Sequence, residues 1–211
     1  MSGAKNPRLS KMTAAELVAL KAERLRSDPA YRAQTAAVEA ERQERARELR
    51  RAEQPIVADL RAAGVDVESV WDLVNSSDPY PDALPILLNH LLRGGYPDRV
   101  MEGLGRALAV KPAATVWYTL RELYMKAEGR GGEEGLAVAL AASATPDHID
   151  ALITLLDETS RGSTRIHFLR PIKRLGGERG LEVLRSLQRD PLFGKEARAL
   201  VKGRREPRSN P

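Results

Sequence analysis

The chain of 211 residues contains no cysteine. Disulfide frameworks, zinc ribbons, iron–sulfur ligation and cysteine nucleophiles are excluded together. Aromatic residues are scarce, at 4%. Because strands of sandwiches and barrels pack on aromatic and β-branched side chains, an all-β fold is disfavoured. Long apolar runs are also missing. The longest, Leu136–Ala142, falls far short of the roughly 20 residues that a membrane-spanning helix needs. The opening MSGAKNPRLSKM lacks the apolar segment of a secretory leader, and neither end carries a lipidation signal. A soluble protein of the bacterial cytoplasm, without a membrane role, is the expectation.

Lysine is uncommon too, with 8 residues against 26 arginines. The positive charge is therefore mostly planar and permanently ionised. The net charge of +5 is unevenly spread: residues 1–54 sum to +4, 55–145 to −4 and 146–211 to +5. A basic C-terminal third steers towards acidic partners.

Residues 1–12 read as disordered, and 203–211 as a basic disordered tail. Between 13 and 64 the pattern is a charged helical extension or cap. Thr13 and Glu16 have capping-box spacing, and Asp28-Pro29 restarts the helix with Asp28 as its cap. Glu39–Glu48 is almost wholly charged residues and Ala, with pairs such as Glu41/Arg45 spaced for ion pairing. No apolar heptad persists there. Pro55 should kink or restart the helix, Ile56, Val57 and Leu60 form an apolar stripe, and Gly64 ends it. Asp66 is the expected cap of a short helix through Val74.

From residue 80 the sequence repeats. Segments starting at 82, 114, 147 and 179 align at steps of 32 or 33 residues. A second series lies between them, at Asp98–Leu108, Glu133–Ala142, Thr164–Leu175 and Lys195–Val201. Gly103-Leu104-x-x-Ala107-Leu108 recurs as Gly135-Leu136-x-x-Ala139-Leu140. One helix hairpin cannot bury its own apolar faces, whereas stacked neighbours share a core. The expected fold is all-α: an α-solenoid of about four helix pairs over 65–202. Asp82–Leu91, followed by Tyr96–Leu108, resembles the HEAT-like (armadillo-type) repeat family. The resemblance covers about 80–202 and implies that the second helix of each pair lines the binding surface. Pro171 should kink the third of these helices.

Chemistry is thinly represented. His90, His148 and His167 stand in three different repeats without a second ligand at helical spacing, so no metal is expected. Gly194-Lys195 lacks the rest of a phosphate loop, and Gly129–Gly132 follows a helix instead of a strand. No cofactor and no catalytic residue is assigned. Some HEAT-like proteins are DNA glycosylases, but their tryptophan and aspartate pattern does not map onto Trp71 and Trp117.

The candidate partner-binding residues are the outward cations of the second helices: Arg99 and Arg106, then Arg165, Arg170, Lys173 and Arg174, then Lys195, Arg198 and Lys202. Trp117, Leu120 and Tyr124 form a core stripe, and Tyr118, about 100° away, is a candidate interface anchor. A groove tracking a nucleic-acid backbone should be basic in every unit, yet the second unit offers only Glu133 and Glu134. The expectation is a non-catalytic scaffold for a protein with an acidic surface. The alternative is a nucleic-acid-binding, repair-related protein using the basic C-terminal third.

Overall fold

The structure, a computed structural model, describes residues 12–202. Both expected disordered ends, apart from Met12, lie outside that range. Among the described residues the chain is all-helical, with eleven α-helices, short 3-10 segments and no strand. Two compact units divide between Glu48 and Leu49, so the expected 64/65 boundary lies inside the second unit.

The first unit contains α1 (Ala14–Ser27) and the part of α2 (Pro29–Ala62) up to Glu48. The capping box read from the sequence is present. Thr13 Oγ1 accepts the Glu16 N–H at 3.3 Å, and Glu16 Oε2 accepts the Thr13 N–H at 2.7 Å. Asp28 Oδ1 takes the Tyr31 N–H at 2.9 Å, with Pro29 at the first helical position. Ion pairs Glu39–Arg42, Glu41–Arg45 and Glu44–Arg47 follow along α2. No side chain of α1 is buried.

In the second unit α2 continues unbroken through Pro55, against the expected kink. Pro55 and Arg51 are both exposed. The Arg51 carbonyl, which loses its helical donor, therefore faces water instead of being stranded in the core. Ile56, Val57 and Leu60 are buried as the stripe required. Helix α3 (Val70–Val74) is capped by Ser69 and not by Asp66. Ser69 Oγ accepts the Trp71 N–H at 3.2 Å, while Asp72 Oδ2 takes the N–H groups of Glu68 and Ser69.

Four helix pairs follow: α4 (Ala83–Arg93) with α5 (Asp98–Ala107), and α6 (Trp117–Lys126) with α7 (Arg130–Ser143). Next come α8 (Ile149–Leu156) with α9 (Leu169–Leu175) and α10 (Gly177–Ser186) with α11 (Gly194–Lys202). Partners within each pair touch, and the second helices contact one another in series, α3 on α5, α5 on α7, α7 on α9 and α9 on α11. The third second-helix differs from its expectation. Thr159–Phe168 is a 3-10 segment interrupted at Gly162 (φ +53°), and the α-helix begins only at Leu169. Pro171 thus sits in the first turn of α9, where a missing N–H costs nothing.

Helices α5 and α7 approach backbone to backbone. A Cβ on Gly135 would lie 2.5 Å from the Glu102 carbonyl oxygen, and one on Gly105 would lie 2.5 Å from the Gly135 carbonyl carbon. Asp98, in the first turn of α5, caps α7 from outside by accepting the N–H groups of Gly131 at 2.7 Å and Gly132 at 2.9 Å. Its carboxylate occupies the positive end of that helix. A single apolar core runs from Ile56 to Ala197, with Trp117, Leu120, Tyr124 and Phe168 wholly enclosed.

Candidate functional site

The surface formed by the second helices carries a chain of charge contacts. The Arg99 guanidinium lies 3.6 Å above the Trp71 ring of α3 and donates to Glu102 at 2.7 Å. Arg106 donates from Nε to Glu102 at 2.8 Å and from Nη2 to Glu134 of α7 at 3.4 Å. His167 Nε2 lies 2.7 Å from the same Glu134 oxygen. Arg99, Glu102, Arg106, Glu134 and His167 therefore form one ladder from α5 to the segment before α9. The sequence placed Arg99 and Arg106 outward but did not reveal Glu134 as their hub, because that contact joins residues 28 positions apart.

Arg165 is corrected. Its side chain is buried, with Nη1 donating to the Leu156 carbonyl and Nε to the Gly162 carbonyl, and its guanidinium 5.1 Å from the Phe193 ring centre. The outward placement assumed 100° per residue of α-helix, whereas Arg165 lies in the 3-10 segment, which turns by about 120° per residue. Arg170 is exposed and donates to Glu196 at 3.2 Å. Arg198 is exposed and donates to the Gln188 carbonyl. Arg174, Lys195 and Lys202 are exposed and Lys173 is half-buried. These last four make no ion pair among the described residues. The structure thus gathers free cations on α9 and α11 and leaves the earlier ones neutralised.

Tyr118 is exposed at 56%. It stands edge-on to Trp117 at 5.2 Å and to His148 at 5.4 Å, while His148 stacks flat on Trp117 at 4.3 Å. Burial lowers the His148 pKa below its ordinary value, opposed by the nearby Asp147 charge. His148 Nδ1 accepts the Thr145 N–H at 3.1 Å, so the neutral ring closes the turn before α8. The sequence pointed to Tyr118 as an anchor and to His148 only as a metal ligand, which it rejected. The Thr145-Pro-Asp-His148 spacing was the available signal. No protein-family model, no curated protein and no solved structure matches the chain.

Elsewhere in the second unit, several buried polar groups pair with one another. His90 is wholly buried, with Tyr96 Oη 2.7 Å from Nδ1 and Asp59 Oδ2 2.9 Å from Nε2. Tyr124 Oη lies 2.9 Å from Thr164 Oγ1, which lies 2.5 Å from Glu133 Oε1. Burial pushes the Tyr124 phenol up to about 12. Glu53 is buried against Ser69, whose hydroxyl donates to it at 2.7 Å, and burial raises its pKa. Among the described residues no group of three His, Asp or Glu side chains is placed to hold a metal ion, and no helix is long and apolar enough to cross a membrane. An apolar groove of about 580 Å³ is walled by Leu73, Val74, Tyr80, Leu84, Val110 and Val138.

Proposed function

We propose that the helix pairs from α4 to α11 form a HEAT-like α-solenoid and that the protein is a non-catalytic scaffold. It holds a partner protein on the surface lined by α5, α7, α9 and α11. The serial contacts between second helices support the solenoid reading, since in a solenoid each pair packs on its neighbours along the chain. One observation carries the choice of partner. Lys173, Arg174, Lys195 and Lys202 on α9 and α11 make no ion pair among the described residues, while the cations of α5 are held by Glu102 and Glu134. A short cationic patch beside a neutral ladder suits an acidic segment of a protein. It does not make the continuous basic track that a nucleic-acid backbone requires. Exposed Tyr118 adds an aromatic anchor of the kind that dominates interfaces.

The test is affinity capture of the full chain from its native cell after nuclease treatment, alongside Lys173→Glu/Arg174→Glu/Lys195→Glu. A single stoichiometric protein retained by the parent and lost by the triple variant is the expected result. Retention of nucleic acid alone, abolished by nuclease, overturns the reading.

A further inference from the structure

The first unit has surface to spare. No side chain of α1 is buried, and the buried residues of α2 begin only at Glu53. Residues 12–48 carry seven basic and seven acidic side chains, so this stretch has no net charge to attract an acidic or a basic partner. Its charges have an order, however. Their signs reverse about Gln43: Arg42 mirrors Glu44, Glu41 mirrors Arg45, and Glu39 mirrors Arg47.

An α2 helix laid antiparallel on its own copy, in register at Gln43, brings each of these positions level with one of opposite sign. A parallel copy sets like on like. The reversal holds at 39/47 on the Gln43 side of the helix and at 41/45 on the opposite side, so either face that a two-fold at this level can present carries it. The six side chains remain between 51% and 75% exposed despite their pairing within the helix. Alanines at 33, 36, 37, 40 and 46 keep the surface between them low, and Val38 is 52% exposed. Close approach of two helices needs small residues of that kind, and the symmetry of a two-fold contact needs a surface complementary to itself.

We infer that two copies of this chain associate through antiparallel α2 helices, with Gln43 at the two-fold axis. The contact draws on exposed charge, so it weakens as salt rises.

Sedimentation equilibrium of the full chain at low ionic strength tests this. The parent should sediment at twice the monomer mass. Arg42→Glu/Arg45→Glu/Arg47→Glu and Glu39→Arg/Glu41→Arg/Glu44→Arg should each fall to the monomer mass and regain the doubled mass when mixed. The six-fold exchange of both sets keeps every pair within the helix as well as the reversal about Gln43. It should match the parent even if the triple variants lose helicity. A monomeric parent, a monomeric six-fold variant, or a triple variant as dimeric as the parent overturns the inference.

Discussion

The two units hold their helices by different means. In the first, the stabilising contacts join residues no more than seven apart: Thr13 with Glu16, Asp28 with Tyr31, Glu41 with Arg45, and Arg32 with the Leu25 carbonyl. In the second they cross long stretches of chain. Ser69 meets Glu53, Asp98 meets Gly131 and Gly132, and Trp117 Nε1 donates to the Leu140 carbonyl at 3.0 Å. Helices of the first kind form independently of what lies around them, while those of the second kind exist only as a set. Substitutions in the first unit should therefore perturb one helix, and those in the second should unfold everything.

The largest effect is expected at Trp117. Trp117→Ala removes a fully enclosed ring and should lower the unfolding free energy by about 3–5 kcal/mol in denaturant titration. A comparable loss from Leu17→Ala in α1 would erase the distinction between the units. Gly135→Ala should cost about 1–3 kcal/mol, because its methyl has only the Glu102 backbone to displace. If Gly135→Ala melts like the parent, α5 and α7 do not cross as described. Arg165→Met keeps the packing against Phe193 but leaves the Leu156 and Gly162 carbonyls without their donor. A loss of about 1–3 kcal/mol is expected, and an unchanged melt would return Arg165 to the surface.

Two titrations sharpen the same contrast. Glu53 has its pKa raised by burial, so its contribution to stability is intact below the ordinary value of 4.5 and is lost as pH rises through the raised one. Glu53→Gln should raise the melting temperature at neutral pH, with the gain vanishing towards pH 4.5. His148 runs the other way. Its lowered pKa makes the neutral ring stabilising above 6.5, and that contribution is lost as pH falls through the lowered value. His148→Gln should flatten the fall in melting temperature on acidification. The smallest effect belongs to Thr13→Ala. It should speed amide exchange in α1 by the equivalent of about 1 kcal/mol without shifting the global melt.

The same division explains what could be read in advance. The caps at Thr13 and Asp28 were legible because capping is decided within four residues. The helices after residue 80 were legible because their apolar spacing has the helical period, and observed starts at 83, 117, 149 and 177 fall within three residues of the aligned ones. Ser69 displaced Asp66 as a cap because Asp72 completes its box and Glu53 takes its hydroxyl. Arg165 was misplaced because a 3-10 segment is not signalled by the period of its neighbours. Glu134, the hub of the charge ladder, carried no local sign of Arg106 or His167 at all.

The external cap on α7 bears on how the chain is made. Synthesis runs from the N-terminus, so the Asp98 carboxylate already exists when Gly131 and Gly132 emerge. Glu53 likewise precedes Ser69, and Glu133 precedes Thr164. In each case the acceptor is waiting before its donor arrives. The growing protein can thus add helices in order onto a finished edge, and no helix end in these contacts has to await a residue not yet translated.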